Sequence, residues 1–333
     1  MKRSIDGGKV DIKKLDASDF NSYDELVDES LEGSIFHKTW WLNIFREYYG
    51  SSYNVDFYGI FENNRLIAGM PVPINHKYGM RFIHNPRLTP YSGPFFAKID
   101  MKKPSKISHK KEINALFAET LKRNGLVLHY SFYHNNTDLQ PYIWNGFDVE
   151  VFYTYILEIS ELNNVWQNMD RKRRNDINKF SKQNYDIKYG SISHFIELNR
   201  NSMNRQSHEI YNEKIWTTIF NECKKNNCCE VFSVLIDNEP ISSLFLVWDN
   251  KMAYYIGGGI SNNSQGAMSF LIWEAIKYTK EKLKLYNFDF EGSSVQSIEL
   301  FFRKFGGNIT PMLTIRDNSI KEFIIRKAYS YIK

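Results

Sequence analysis

Two carboxylates near the end of one predicted strand are the first residues whose types and spacing could do chemistry. Asp289 and Glu291 stand two residues apart in the segment NFDFEGS. Because side chains alternate along a strand, both carboxylates are expected on one face, with Phe288 and Phe290 on the other. Burial or the neighbouring like charge would raise the pKa of one carboxyl toward neutrality, as suits a general base. The structural alternative is that one acid caps the next helix near Ser293 and the other pairs with an arginine.

Two tyrosines and a run of small residues precede a predicted helix in the segment AYYIGGGISNNSQGAMS. Strand alternation sends the rings of Tyr254 and Tyr255 to opposite faces, and core packing is the alternative to a chemical role. Backbone N–H groups of a small-residue loop at a helix N-terminus can hold a pyrophosphate; a plain loop and a capped helix are the alternative. The candidates for this anion site are Gly258, Gly259, Gln265, Gly266 and Ala267.

Cations are concentrated in the segment MDRKRRNDINKFSKQN, a predicted helix with its basic part at 169–182. Positions 171, 174 and 178 share one helix face and positions 172, 176 and 179 another, so one face gathers two or three cations. Such a face suits a nucleotide-sugar diphosphate, a lipid-linked diphosphate or a tRNA backbone, whereas a solvated basic face is the alternative. The substrate-binding candidates are Arg171, Lys172 and Arg174, with Lys38 as a further candidate if it reaches a cleft between domains.

The composition excludes several classes of protein. The chain has 333 residues, is 42% hydrophobic and 24% charged, and carries a net charge of +5. A disordered chain, a collagen or a disulfide-rich miniprotein does not have this composition. The eight histidines show no HxxxH or HxH spacing, so no metal site is expected. Neither a GxSxG elbow nor a Walker GxxxxGK[ST] loop occurs.

The sequence also carries expectations about location. The segment after the first residues lacks the apolar core of a signal peptide, and no stretch approaches the ~20 apolar residues of a spanning helix. We therefore expect a cytoplasmic protein without a transmembrane segment, for which peripheral contact with a membrane stays open. A basic amphipathic helix is predicted for IKEFIIRKAYSYIK at the C-terminal end of the sequence.

The order of predicted elements repeats. The segment YGIFENNRLIAG resembles FSVLIDNEPISS about 174 residues later, and Met80 opens a strand as Met252 does. In each copy a helix leads back to a strand, which is a βαβ crossover within otherwise antiparallel strands. The sequence therefore predicts a mixed α+β fold with two tandem domains, at 1–158 and 159–333.

The segment from MAYYIGGGI to SIELFFRKFGG resembles the C-terminal half of acyltransferases with two tandem GNAT domains, the FemABX peptidyltransferases and their acetyltransferase-like relatives. The strand end FDFEGS followed by FFRKFGG carries most of this resemblance, which covers roughly residues 30–320. It implies two GNAT-like domains, each a mostly antiparallel twisted sheet flanked by helices. The first would shape the acceptor cleft and the second would carry the donor chemistry.

The resemblance also implies roles for single residues. A tyrosine near the donor thiol acts as general acid in GNAT enzymes, which makes Tyr255 the candidate here, and the basic position in FFRKFGG places Arg303 near the donor ester. Gln265–Gly266–Ala267 retains only part of the basic Q/RxxGxG/A signature of acetyl-CoA-binding GNATs. Both acyl-CoA and aminoacyl-tRNA therefore stay open as donors.

The leading hypothesis is metal-free transfer of an acyl or aminoacyl group to an amine or hydroxyl of a phosphate-bearing cell-envelope or sugar precursor. Its partners would be an anionic small-molecule or lipid-linked precursor, with tRNA as a further candidate. The first alternative is a FemX-like, aminoacyl-tRNA-dependent peptidyltransferase acting on a peptidoglycan precursor. The second is a non-catalytic protein in which the GNAT fold binds a ligand.

Overall fold

The computed structural model describes residues 2–5, 8–205, 212–262, 265–292 and 295–318. These residues form two compact units. The first takes the described residues up to Phe152 together with those from Pro311, and the second is Tyr153–Thr310. The predicted C-terminal helix lies outside the described residues.

The first half of the chain supplies eight strands and four α-helices among the described residues. In chain order they are β1 (Lys2–Ile5), β2 (Gly8–Lys14), α1 (Phe20–Glu29), α2 (Thr39–Tyr49), β3 (Tyr53–Glu62), β4 (Arg65–Lys77), β5 (Met80–His84), β6 (Phe95–Phe96), α3 (Lys103–Asn124), β7 (Leu126–Ser131), α4 (Gln140–Trp144) and β8 (Phe147–Glu158). Short 3₁₀ helices lie at Ile35–His37 and Gly50–Ser52.

The second half supplies the remaining elements. They are α5 (Leu162–Asn168), α6 (Arg171–Phe180), β9 (Asp186–Tyr189), α7 (Ile192–Arg205), α8 (Glu213–Lys225), β10 (Cys229–Ile236), β11 (Glu239–Trp248), β12 (Ala253–Ile260), α9 (Ala267–Glu281), β13 (Asn287–Asp289), α10 (Gln296–Arg303) and β14 (Asn308–Asp317). The 257–259 glycines, predicted to open a loop, lie within strand β12.

The same strand pattern occurs in both units. In the first, β2, β3, β4 and β5 pair antiparallel in that order, and β5 pairs parallel with β7 after the crossover helix α3. In the second, β9, β10, β11 and β12 pair antiparallel, and β12 pairs parallel with β13 after the crossover helix α9. The predicted tandem repeat of a mostly antiparallel sheet with one βαβ crossover is confirmed.

The two equivalent hairpins show how the sequence determines this repeat. Asn63 and Asn64 have φ of 50° and 64°, and Asp237 and Asn238 have φ of 51° and 65°. A two-residue hairpin needs positive φ at both central residues, which Asn and Asp adopt more readily than other side chains. The similar pairs of residues therefore form the same turn in both copies.

The two compact units meet at residues 152/153 and 310/311, whereas the predicted domain boundary is at 158/159. The C-terminal part of β14 belongs to the first unit, because Thr314 pairs with Ser131 and Ile315 with Tyr130 on β7. The chain therefore leaves the first unit within β8 and returns to it within β14. The assignment of acceptor and donor roles to the two domains stays a prediction.

Candidate active site

Two neighbouring strands of the second unit diverge near the predicted catalytic residues. β12 and β13 run parallel and pair only as far as Tyr254 opposite Asp289. β13 ends there, whereas β12 continues to Ile260. A bulge at Ile256 shifts the register of β12 against β11, and bulges re-aim side chains. In open sheets with parallel strands, ligands bind where the carboxyl ends of neighbouring strands diverge.

Glu291 lies in the turn after β13 and not on the strand, so the predicted alternation with Asp289 does not hold. Its φ is +56°, in the left-handed region that glutamate rarely adopts, and Gly292 follows with φ of +69°. Such a conformation costs on the order of 1 kcal/mol or more and persists only where the surroundings impose it. Strained residues of this kind cluster at functional sites.

The carboxyl group of Glu291 is in an environment that disfavours its charge. Its Oε1 atom is buried and has no hydrogen-bond partner among the described residues. Burial, and secondly the charge of Asp289, raise the pKa of Glu291 well above its ordinary value. A carboxyl with these properties takes up a proton more readily than an exposed one, as a general base near neutral pH requires.

Asp289 holds the turn that carries Glu291. It is fully buried, and its Oδ1 accepts hydrogen bonds from the Thr154 hydroxyl and, at 2.8 Å, from the backbone N–H of Glu291. Two donors on one oxygen fix the orientation of the carboxyl group. We therefore assign Asp289 to positioning Glu291 and to raising the pKa of its carboxyl group.

Tyr255 lies just beyond the last residue of β12 that pairs with β13, and its ring packs edge-on against Phe302 of α10 at 5.5 Å. Phe302 also lies 5.1 Å from Phe290, the neighbour of Glu291. Burial raises the pKa of Tyr255 above its ordinary value, so the hydroxyl keeps its proton. The neighbouring Tyr254 is fully buried and donates to Asp249 at 2.9 Å.

The basic segment begins α6, where Asp170 caps the helix through the backbone N–H groups of Lys172 and Arg173. Arg171 and Lys172 are exposed, and Arg174 is partly buried with an Nε atom that has no partner among the described residues. Arg171 and Lys172 thus lie on the open side of the helix, as both the anion-binding and the solvated-face interpretations require, whereas Arg174 lies at the border of that side.

The sequence reasoning passed over Arg173, the buried member of this run. Its side chain is 9% exposed, and its Nη1 donates to Ser269 of α9 at 2.5 Å. The guanidinium lies 4.0 Å from the ring centroid of Phe301 and 5.2 Å from that of Phe305. A helical pattern could have revealed it, because Arg173 shares its face with the buried Ile177 and Phe180.

Gly258 and Gly259, two of the predicted anion-binding residues, have different surroundings. At Gly259, an added Cβ would lie 2.2 Å from backbone atoms of α7, so this glycine permits close helix–strand packing. At Gly258, it would lie 2.1 Å from the hydroxyl oxygen of Tyr255. Gly258 therefore adjoins the candidate site, whereas Gly259 serves the packing of the unit.

The start of α9 combines features of an anion-binding site with residues that serve the packing of the helix. Gly266 is the N-cap with φ of +82°, and no described side chain caps the helix. Its α-carbon faces the carbonyl of Asp176, and Ala267 is fully buried, whereas Gln265 is exposed. Among the residues that the structure describes, no side chain caps the first turn of α9 and none accepts a hydrogen bond from the buried Nε of Arg173.

Two of the predicted basic residues form ion pairs with acidic side chains. Arg303 lies 3.5 Å from Glu299 in the exposed part of α10, and the Tyr155 hydroxyl donates to the same carboxyl at 2.5 Å. In the first unit, Lys38 lies 2.6 Å from Asp28 and donates to the backbone oxygen of Asp24 at 2.7 Å. Lys38 thereby ties two helices of its own unit together.

The comparisons with known proteins agree with this geometry. Residues 171–294 match the family described as acetyltransferase (GNAT) domain. The fold of nearly the whole chain is similar to that of FemX, with a TM-score of 0.70 over 90% of this chain and 96% of FemX at 12% identity. The chain therefore shares the fold of FemX, and its residues 171–294 match a GNAT acetyltransferase domain.

Two further solved structures are similar to this chain in fold. A conserved protein from Bacteroides thetaiotaomicron has a TM-score of 0.61 at 10% identity and covers 93% of this chain and 100% of its own. The C-terminal domain of an Agrobacterium fabrum protein described as a lysylphosphatidylglycerol synthetase has a TM-score of 0.53 at 10% identity, covering 79% and 85%. A comparison with curated protein sequences finds no match.

Within the described ranges, no group of three or more His, Cys, Asp or Glu side chains is placed to hold a metal ion. No helix in the part of the chain that the structure describes is long and apolar enough to cross a bilayer.

Proposed function

We propose that this protein moves an acyl or aminoacyl group onto an amine or hydroxyl of a phosphate-bearing cell-envelope or sugar precursor, by direct transfer without a metal. The observation that carries the proposal is Glu291, which has a left-handed φ where β12 and β13 diverge and whose buried Oε1 atom has no hydrogen-bond partner among the described residues. An unpaired buried carboxyl is costly to keep unless it takes part in binding or catalysis.

The reaction needs a base for the acceptor and a donor of a proton for the leaving group. Glu291 takes a proton from the acceptor amine, and the amine nitrogen forms a bond to the carbonyl carbon of the donor. As the bond from that carbon to the thiol sulfur or ribose oxygen breaks, the leaving atom receives a proton from Tyr255. Solvent then restores the proton of Tyr255 and removes that of Glu291, so the step balances without a metal or redox partner.

The donor phosphates are assigned to the start of α9 and the adjoining helix α6. The uncapped first turn of α9 supplies backbone N–H groups, and Arg173 stands beside it through its hydrogen bond to Ser269. The exposed Arg171 and the partly buried Arg174 add positive charge from α6. Both an acyl-CoA and the 3′ end of an aminoacyl-tRNA carry phosphates that such donors bind.

A FemX-like, aminoacyl-tRNA-dependent reaction is the second candidate. It is favoured by the similarity to the FemX fold over 90% of the chain. The lysylphosphatidylglycerol named for the Agrobacterium fabrum protein joins an aminoacyl group to a phosphate-bearing lipid, which is the product class that we propose.

A thermal-shift comparison tests the proposal with acetyl-CoA, alanyl-tRNA and a UDP-linked amino sugar as separate probes. A ligand at 100 times its Kd stabilises the folded state by about 2.7 kcal/mol, which raises the Tm of a unit of this size by roughly 5–11 °C. We expect one of the two donors, and also the phosphate-bearing acceptor, to raise the Tm of the protein. We also expect the acyl group to be transferred from that donor to the acceptor. Protection without transfer would show a ligand-binding protein and overturn the proposal.

A matched pair of double variants tests the anion-binding face. Arg171→Ala with Arg174→Ala should weaken binding of the protecting phosphate ligand by about tenfold or more for each charge-assisted hydrogen bond that is removed. Lys179→Ala with Lys182→Ala removes the same charge from exposed positions of the same segment and should change affinity little. Equal effects in both variants would mean that the run acts through net charge alone.

A further inference from the structure

The first unit exposes a strip in which lysines alternate with large apolar side chains. Its members lie on helix α3, just before it, and on helix α4, and we define the basic–apolar strip as Lys102, Lys103, Lys106, Ile107, Ile143 and Trp144. The exposed fractions are 44% for Ile107, 53% for Ile143 and 67% for Trp144. Large apolar residues exposed together in this way mark interaction surfaces.

Contacts hold the two parts of the strip side by side. Lys103, Ile107 and Lys111 recur at intervals of four residues, so they form one row along α3. The ammonium of Lys111 lies 5.1 Å from the centroid of the Trp144 ring and 2.5 Å from Asp138. The row therefore continues from α3 onto the exposed indole of α4.

Buried contacts explain why the apolar side chains of α4 face outward. Tyr142 and Pro141 occupy the inner side of this short helix, and the Tyr142 hydroxyl donates to Asn114 of α3 at 3.2 Å. Ile143 and Trp144 follow on the opposite side and stay exposed. Their exposure thus results from the packing that fixes α4 against α3.

The charge of the strip is not neutralised locally. Residues 98–111 contain six lysines and one aspartate. Lys110 pairs with Glu32 and Lys111 with Asp138, each at 2.5 Å. The three lysines of the strip itself have no ion-pair partner among the described residues, although Glu112 is exposed on the same helix. The strip therefore presents a positive surface.

We propose that the basic–apolar strip docks this protein onto an anionic lipid surface. Interfacial binding needs a cationic face beside apolar side chains that enter the headgroup region, and tryptophan is enriched at this depth. A nucleic acid would account for the lysines but not for Ile107 and Ile143 beside them. The proposal goes beyond the transfer reaction and does not depend on it, since none of these residues belongs to the candidate active site.

Vesicle sedimentation tests the proposal with the full chain. The wild type should partition onto phosphatidylcholine vesicles with 30% phosphatidylglycerol and only weakly onto phosphatidylcholine alone. Lys102→Gln with Lys103→Gln and Lys106→Gln should lower partitioning onto the anionic vesicles by roughly 100-fold, because each lysine near such a surface contributes about fivefold. Trp144→Ala should lower it by roughly tenfold, because the large apolar ring no longer enters the headgroup region.

The second unit offers matched controls. Tyr286 is 55% exposed and lies under Lys280 at 4.1 Å, so Tyr286→Ala removes an aromatic–lysine pair of the same kind. Lys214→Gln, Lys282→Gln and Lys284→Gln remove three exposed charges. Both controls should retain at least a third of the wild-type partitioning.

Three results would overturn the proposal. The first is no partitioning of the wild type onto anionic vesicles at low salt. The second is an equal loss in the strip variants and the controls, which would assign the effect to net charge. The third is unchanged vesicle binding in the triple lysine variant together with abolished binding of bulk tRNA in a filter assay, which would identify the strip as a nucleic-acid surface.

Discussion

Two neighbouring glycines of β12 should respond in opposite ways to the same added methyl group. The Cβ of Gly259→Ala would lie 2.2 Å from backbone atoms of Leu198 and Asn199 on α7, where ordinary contacts are about 3.4–4.0 Å. Helix α7 must therefore move by more than 1 Å. The Cβ of Gly258→Ala would meet the hydroxyl oxygen of Tyr255 at 2.1 Å and the end of Met268 at 2.8 Å, and these side chains can rotate away.

Hydrogen bonds between α7 and β12 set the size of the first effect. Asn199 donates to the Gly258 carbonyl at 2.9 Å, and Ser202 both donates to the Ile260 carbonyl at 3.2 Å and accepts from its N–H at 2.9 Å. Overpacking costs about 1–3 kcal/mol and each broken hydrogen bond about 0.5–1.5 kcal/mol. Gly259→Ala should therefore lower the free energy of unfolding by about 3–6 kcal/mol.

Thermal unfolding and transfer activity distinguish the two variants. Gly259→Ala should lower the Tm by at least about 6 °C, while its folded fraction stays active. Gly258→Ala should lower the Tm by no more than a few degrees but reduce kcat by about tenfold or more, because the Tyr255 hydroxyl is displaced. Equal stability of the two variants, or full activity of Gly258→Ala, would refute the assignment of one glycine to packing and the other to the site.

Three further variants probe the residues around the strand ends. Arg173→Ala should lower the free energy of unfolding by about 2–4 kcal/mol in urea titrations, since it removes a buried charge bound to Ser269, whereas a change below 1 kcal/mol would contradict that role. Asp289→Asn should shift the acidic limb of the kcat/KM profile to lower pH, because the negative charge that raises the pKa of Glu291 is gone; an unmoved limb would argue against this coupling. Tyr255→Phe should reduce kcat by about 100-fold with KM little changed, and wild-type kcat would remove Tyr255 from the reaction.

The repeat was predictable because its signals are local. A turn of two Asn or Asp residues between alternating strands determines a hairpin, and the pairs at 63–64 and 237–238 lie at nearly the same place in each copy. The crossover helices follow from apolar spacing and, for α3, from a terminal glycine, Gly125. The pairing of β14 with β7 could not be predicted, since it joins residues more than 180 positions apart and depends on tertiary packing.

The sequence indicated which residue types belong to the candidate site, but not how they are arranged in space. The pair of carboxylates drew attention to Glu291, but alternation assumed a strand that ends two residues earlier, at Asp289. A left-handed φ at a glutamate has no sequence signal of its own. The run of basic residues was evident in the sequence, but the number of charges alone drew attention to its exposed members. The four-residue spacing between Arg173 and Ile177 identifies Arg173 as the buried one.

Replacing Glu291 by glutamine tests the central claim most directly, because the change keeps the shape of the side chain and removes the base. The folded-state pKa of Glu291 lies above its unfolded value, so its ionisation costs stability as pH rises from the unfolded pKa to the folded one. Glu291→Gln removes this cost and should be at least as stable as the wild type at pH 8.

Single-turnover transfer should be measured at pH 8, with the donor and acceptor that protect in the thermal-shift comparison and with folded protein quantified in parallel. We predict that Glu291→Gln lowers kcat by about 10²–10⁴ with nearly unchanged binding of both substrates. A variant that unfolds at pH 8 while its remaining folded molecules transfer at the wild-type rate would show that Glu291 is a structural acid and would contradict the account.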